Sequence, residues 1–94
     1  MIQDGEYSAT VMHAKRIGKR TVELCWRIDD QDLIEPARDL DMRDHMRKAW
    51  LPTSTWIGEP DEADYVGLVA QLLIKESRVI NIKVVSKQPF IIAV

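Results

Sequence analysis

The stretch DYVGLVAQLLIKESRVINIKVV, Asp64 to Val85, decides the fold, because it reads in two ways. As a helix, Val66, Val69 and Leu73 share one face, Tyr65 and Leu72 flank it, and Pro60 and Asp61 supply a good start. As strands, Leu68, Ala70, Leu72 and Ile74 alternate with Val69, Gln71, Leu73 and Lys75. Lys75-Glu76-Ser77-Arg78 then closes a hairpin onto a strand from Val79 to Val85, with Ile80, Ile82 and Val84 on one face. Gly67 disfavours the helix by about 1 kcal/mol relative to alanine, while Ala70, Gln71 and Lys75 favour it. The helical reading, over about 61–74, places a second helix on a smaller antiparallel sheet.

Upstream the pattern is clearer. Gly5 opens a first strand in which Tyr7, Ala9 and Val11 alternate with Ser8, Thr10 and Met12. Ile17-Gly18-Lys19-Arg20 is a tight turn whose glycine is free to take a positive φ. Thr21 to Ile28 is a strand with Val22, Leu24, Trp26 and Ile28 facing inward, and Asp29-Asp30-Gln31 ends it. Pro36 confines the next strand to a short piece or to a sheet edge. Asp41 is placed to cap a helix on which Met42, Met46, Ala49 and Trp50 recur at helical spacing, and Pro52 stops it. Phe90 to Val94 is an apolar end suited to a further strand or to packing on an edge.

Composition excludes several classes. Ninety-four residues make one domain, 1–94, with 46% hydrophobic and 30% charged residues. No apolar run approaches the ~20 residues that cross a bilayer, so no membrane role is expected. The segment Met1-Ile2-Gln3-Asp4 lacks the basic start and apolar stretch of a secretory leader. Cys25 alone forms no internal disulfide and no metal site. The simplest expectation is a cytoplasmic protein.

The net charge of −2 argues mildly against nucleic-acid binding, but its distribution is uneven. From Lys15 to Arg27 there are five cations and one anion; from Asp29 to Asp44, seven anions and two cations. Four anions follow between Glu59 and Asp64, and Lys75 to Lys87 returns four cations against one anion. Stripes of this kind polarise a folded surface.

The order is strand, basic turn, strand, short proline-bearing strand, helix, loop, hairpin. With DGEYSATVMHAK, VELCWRI, MRDHMRKAWL and DYVGLVAQLLIKESRVINIKVV, it resembles the small oligonucleotide-binding (OB) single-stranded-DNA-binding proteins of phages. In that family an apolar residue and a glycine introduce the fourth strand, as Val66-Gly67 would here, and this favours the strand reading. The resemblance implies an α+β, mostly β fold: a five- or six-stranded OB-like barrel or sheet, with one helix at about 41–51 between strands 3 and 4. It also implies that the loops joining strands 1 to 2 and 4 to 5 contact the ligand. The chain departs from the family in ending on apolar PFIIAV where an acidic tail is usual.

On that fold Lys15, Arg16, Lys19 and Arg20 fall on the first ligand loop, Lys75 and Arg78 on the second, and Arg27 and Lys83 on outward strand faces. Cations that neutralise phosphates release counterions and bind single strands without sequence preference. Among the aromatics, Trp26 and Tyr7 are in phase with core positions and Trp50 follows the helix stripe. Trp56, in the polar loop TSTWIGE, is either a plug over the barrel end or a contact residue. Catalysis is not expected: His13 and His45 stand at no recognised ligand spacing, Cys25 has no nameable base, and Asp29, Asp30 and Asp32 lack the glycine and distal glutamate of a calcium loop. No cofactor and no metal are expected.

Two functions from different classes follow. One is a non-catalytic module gripping single-stranded DNA through two basic hairpin loops. The other is a small phage or mobile-element protein that binds and inhibits a host or defence complex through its acidic surface, with Asp29, Asp30, Asp32, Glu35 and Asp39 as working residues. Its apolar C-terminal end would add a strand to a partner or to a second copy, making a homodimer.

Overall fold

A computed structural model describes residues 2–49 and 62–87. Its elements are β1 (Gly5–Arg16), β2 (Thr21–Ile28), β3 (Gln31–Arg38), α1 (Asp39–Lys48), the single turn α2 (Glu62–Tyr65), β4 (Leu68–Lys75) and β5 (Arg78–Lys87). The five strands form one antiparallel sheet in the order β3-β2-β1-β4-β5. The fold is α+β and mostly β, with α1 between strands 3 and 4. The sheet is not closed into a barrel, because β3 and β5 do not pair. Phe90–Val94, the expected sixth strand, lies outside the described residues.

The ambiguous stretch is a hairpin. The helical alternative survives only as the four residues of α2. Gly67 ends that turn at φ 95°, where a side chain is strained, and donates its N–H to Val11 O at 2.9 Å. Leu68, Ala70, Leu72 and Ile74 then face the core and are at most 1% exposed. Burying each of the leucine and isoleucine side chains contributes about 1.5–3 kcal/mol, and the Ala70 methyl less. No positive φ occurs at Gly18, so the β1–β2 turn closes without one; Ile17 and Gly18 both donate their N–H to Thr21 O (3.1 and 3.2 Å).

Three bulges change the faces read from simple alternation. In β1 the register steps from Val11↔Trp26 to His13↔Cys25, leaving Met12 over. Tyr7, Ala9 and Val11 face inward as expected; after the bulge Ala14 and Arg16 take the inward phase, opposite Leu24 and Val22. Two irregularities along β4–β5 turn Ile80 and Val85 outward, 56% and 53% exposed, so Ile80 leaves the face it was expected to share with Val84.

The core lies on the inward face of the sheet. Ala9, Val11, Val22, Leu24, Trp26, Ile28 and the β4 set pack with Met42 and Met46 of α1 and Tyr65 of α2. The helix starts at Asp39, two residues before the expected cap, and its N-cap Arg38 makes no side-chain capping bond. Its described part ends at Lys48, with Ala49 N–H on Met46 O. α1 packs on both β3 and β5. Where these two edges approach, the Glu35 side chain accepts the Val79 N–H at 3.0 Å.

Candidate nucleic-acid interface

The β1–β2 turn is built over a buried carboxylate. Because Arg16 points inward after the bulge, its guanidinium meets Asp39 in a two-pronged contact, Nη1 to Oδ2 at 2.7 Å and Nη2 to Oδ1 at 3.2 Å. Asp39 is fully buried, and Tyr65 OH donates to its Oδ1 at 2.5 Å. The backbone N–H of Asp39, an otherwise orphaned donor at the helix start, reaches Arg20 O at 3.0 Å. Glu62 accepts the Arg16 N–H at 2.9 Å. Burial pushes the Asp39 carboxyl upward, but the hydrogen bonds from Arg16 and Tyr65 and the Arg16 charge outweigh it and hold the group below the usual carboxylate range. Burial, and then the Asp39 bond and charge, push the Tyr65 phenol up, keeping it protonated.

On this base Lys19 and Arg20 stand exposed, with no side-chain hydrogen bond or ion pair to another described residue. Lys15 is in β1, on the outward face, opposite Glu23. Arg16, expected beside them on the loop, is instead a strand residue engaged with Asp39.

The β4–β5 turn has a different support. Lys75 and Arg78 are direct register partners across a two-residue turn, Glu76-Ser77, with φ of 53° and 61°. Like charges set opposite one another are unfavourable. The anchor is a carboxylate from the chain's beginning: Asp4 accepts the Glu76 N–H at 2.8 Å, in an exposed contact. Lys83 is exposed on β5, opposite Gln71.

Along β1 the two turns are at opposite ends, Gly5 beside Ile74 and Arg16 beside Val22. The curl of the sheet shortens the way between them. Val79, next to Arg78, is bonded to Glu35 of β3; three residues on, Arg38 pairs with Thr21, next to Arg20. The interval along β3 is about 10 Å. Exposed Arg38 lies at its end, a cation that sequence reasoning passed over because it sat inside the acidic stripe.

The remaining expected residues divide clearly. Arg27 is paired with Asp32 (2.9 and 3.3 Å), each near half exposed. That bond is the main reason Arg27 is raised and Asp32 lowered. Of the acidic set, Asp39 is buried, Asp32 faces Arg27 and Glu35 faces Val79, while Asp29 and Asp30 form the exposed β2–β3 turn. Trp26 is 1% exposed and Tyr65 fully buried, so among the described residues neither is a base platform. Trp56 and Trp50 lie outside the described residues. Cys25 faces outward beside His13, its thiol pushed up first by burial and then by Asp32. The described residues hold no cluster of potential metal ligands and no helix long and apolar enough to cross a membrane. No protein-family model, no curated protein and no solved structure matches the chain.

Proposed function

We propose that this chain is a non-catalytic module that binds single-stranded nucleic acid, DNA in the first instance, through its two basic hairpin turns. The observation that carries the reading is the pair of exposed cationic turns, Lys19-Arg20 and Lys75/Arg78, whose side chains form no hydrogen bond or salt bridge with another described residue. Lys75 and Arg78 sit opposite one another at a cost in stability, as local conflicts at functional sites do. The acids that would compete as a protein-binding surface are largely engaged internally: Asp39, Asp32 and Glu35 each hold a partner within the chain. Exposed Arg38 adds a cation beside the first turn, and Lys15 a further one on the outward face. These cations act on phosphates, a contact that does not depend on base sequence.

Titration of labelled oligo-dT at two salt concentrations tests this. Affinity is expected to fall as salt rises, with a slope of about −0.7 for each phosphate contacted. Lys19→Glu with Arg78→Glu is expected to weaken binding at least tenfold at low salt. No binding by the unaltered chain at low salt sinks the proposal.

A further inference from the structure

A buried carboxylate under a cationic turn is a costly arrangement, and neither of the other two hairpin turns has one. Asp39 touches both ends of the β1–β2 turn. Its side chain holds Arg16 at the entry, and its backbone N–H holds the Arg20 carbonyl at the exit. Tyr65, itself fully buried, fixes the orientation of the carboxylate from behind. The four residues between, Ile17 to Arg20, are thereby closed at both ends by one residue. Through its charge alone, Asp39 would oppose a polyanion at this turn.

We infer that Asp39 is a positioning residue for nucleic-acid binding, backed by Tyr65: it orders the backbone of the β1–β2 turn in advance, so that the chain carrying Lys19 and Arg20 is already in place when they meet the phosphates. The inference rests on the nucleic-acid reading. Ordering a turn's backbone upon binding weakens association, and a turn whose backbone is already held avoids that part of the loss. Arg16 belongs to this support and not to the contact set, its guanidinium being directed at Asp39.

The sign of one substitution separates positioning from charge. Asp39→Asn removes a negative charge beside the turn, so electrostatics alone makes oligo-dT bind more tightly. The positioning role predicts the reverse, a loss of about five- to tenfold, with a shallower salt dependence because fewer phosphates are met together. Arg16→Lys and Tyr65→Phe preserve the charge of the chain while breaking the fork and the phenol bond, and each is expected to weaken binding about threefold. In both, amide exchange of Ile17 and Gly18 quickens. These two variants carry the test should Asp39→Asn fail to fold. If the unaltered chain binds and Asp39→Asn binds equally or more tightly, or if both charge-preserving variants bind as the unaltered chain does, the inference falls and the nucleic-acid reading stands. If the unaltered chain does not bind, both fall together.

Discussion

The turn between β1 and β2 and the turn between β4 and β5 carry similar charges on opposite kinds of support. The first has a glycine, Gly18, whose backbone does not need one, and its order comes from a buried network reaching α1 and α2. The second has two left-handed residues, Glu76 and Ser77, no glycine, an exposed anchor from Asp4 and, just beyond it, the Glu35 bond to the Val79 N–H. The first turn is fixed by a buried network of charged and polar side chains; the second is a hairpin in an unfavourable conformation, supported from outside by single hydrogen bonds. Substitutions at their supports should therefore differ in size, and in the distance over which they are felt.

The largest effect is expected at Asp39. Asp39→Ala leaves the buried Tyr65 hydroxyl and the Arg16 guanidinium without the carboxylate they share. Arg16 is one-third exposed, which moderates the loss, and about 2–4 kcal/mol is expected by urea denaturation. The pH dependence has a definite sign. The folded-state pKa of Asp39 lies below the unfolded value, so its contribution is present above about pH 4 and lost as pH falls through the folded value. Denaturation midpoints should fall in that window for the unaltered chain, and Asp39→Asn should fall less. An equally steep acid limb in both would remove the buried network from the comparison.

The second turn was legible in the sequence, and the support of the first was not. Alternation at Val22, Leu24, Trp26 and Ile28, and at Leu68, Ala70, Leu72 and Ile74, reports burial directly, because a sheet with one packed face imposes a two-residue period. Lys75-Glu76-Ser77-Arg78 follows from the strands on either side. The inward phase of Arg16 depends on the bulge at Met12, whose only trace is that the apolar residues step from Val11 to Ala14, an odd interval. The Arg16–Asp39–Tyr65 contact joins positions 23 and 26 residues apart, and no local period encodes such a meeting. Asp39 and Glu35 therefore read as members of an acidic surface, whereas one is interior and the other reaches an amide across the gap between two sheet edges. The order of elements around α1 was recoverable. Whether the outer strands β3 and β5 would pair was not, since closure depends on curl and on edge contacts.

A smaller and opposite effect is expected at the second turn. Ser77→Gly removes the side-chain strain at φ 61°, in a turn type that favours glycine at that place, and should stabilise the chain by up to about 1 kcal/mol. Gly18→Ala makes the converse point at the first turn. An added Cβ meets only the Thr21 Cβ at 3.8 Å, an ordinary contact, so the change is expected to be neutral or slightly stabilising. A destabilising Gly18→Ala would mean that the first turn relies on glycine after all, and the contrast between the turns would disappear.

The smallest effect, and the sharpest on the comparison, is at Asp4. Its bond to the Glu76 N–H is exposed, so Asp4→Ala should cost no more than about 0.5 kcal/mol. What changes is local. Because that bond holds the Glu76 amide, its hydrogen exchange should quicken, while that of Ile17 and Gly18, held through Thr21 O and the Asp39 network, stays as it was. Because Asp4 also places a negative charge beside Lys75 and Arg78, its removal should leave oligo-dT binding unchanged or slightly tighter. That is the opposite of the loss expected when the carboxylate under the other turn is neutralised. One anchor is a hydrogen bond that a solvated hairpin can do without, and the other is the frame on which a turn is built. If exchange at both turns quickens in Asp4→Ala, the two are coupled through β1, and the independence assumed for the second turn is wrong.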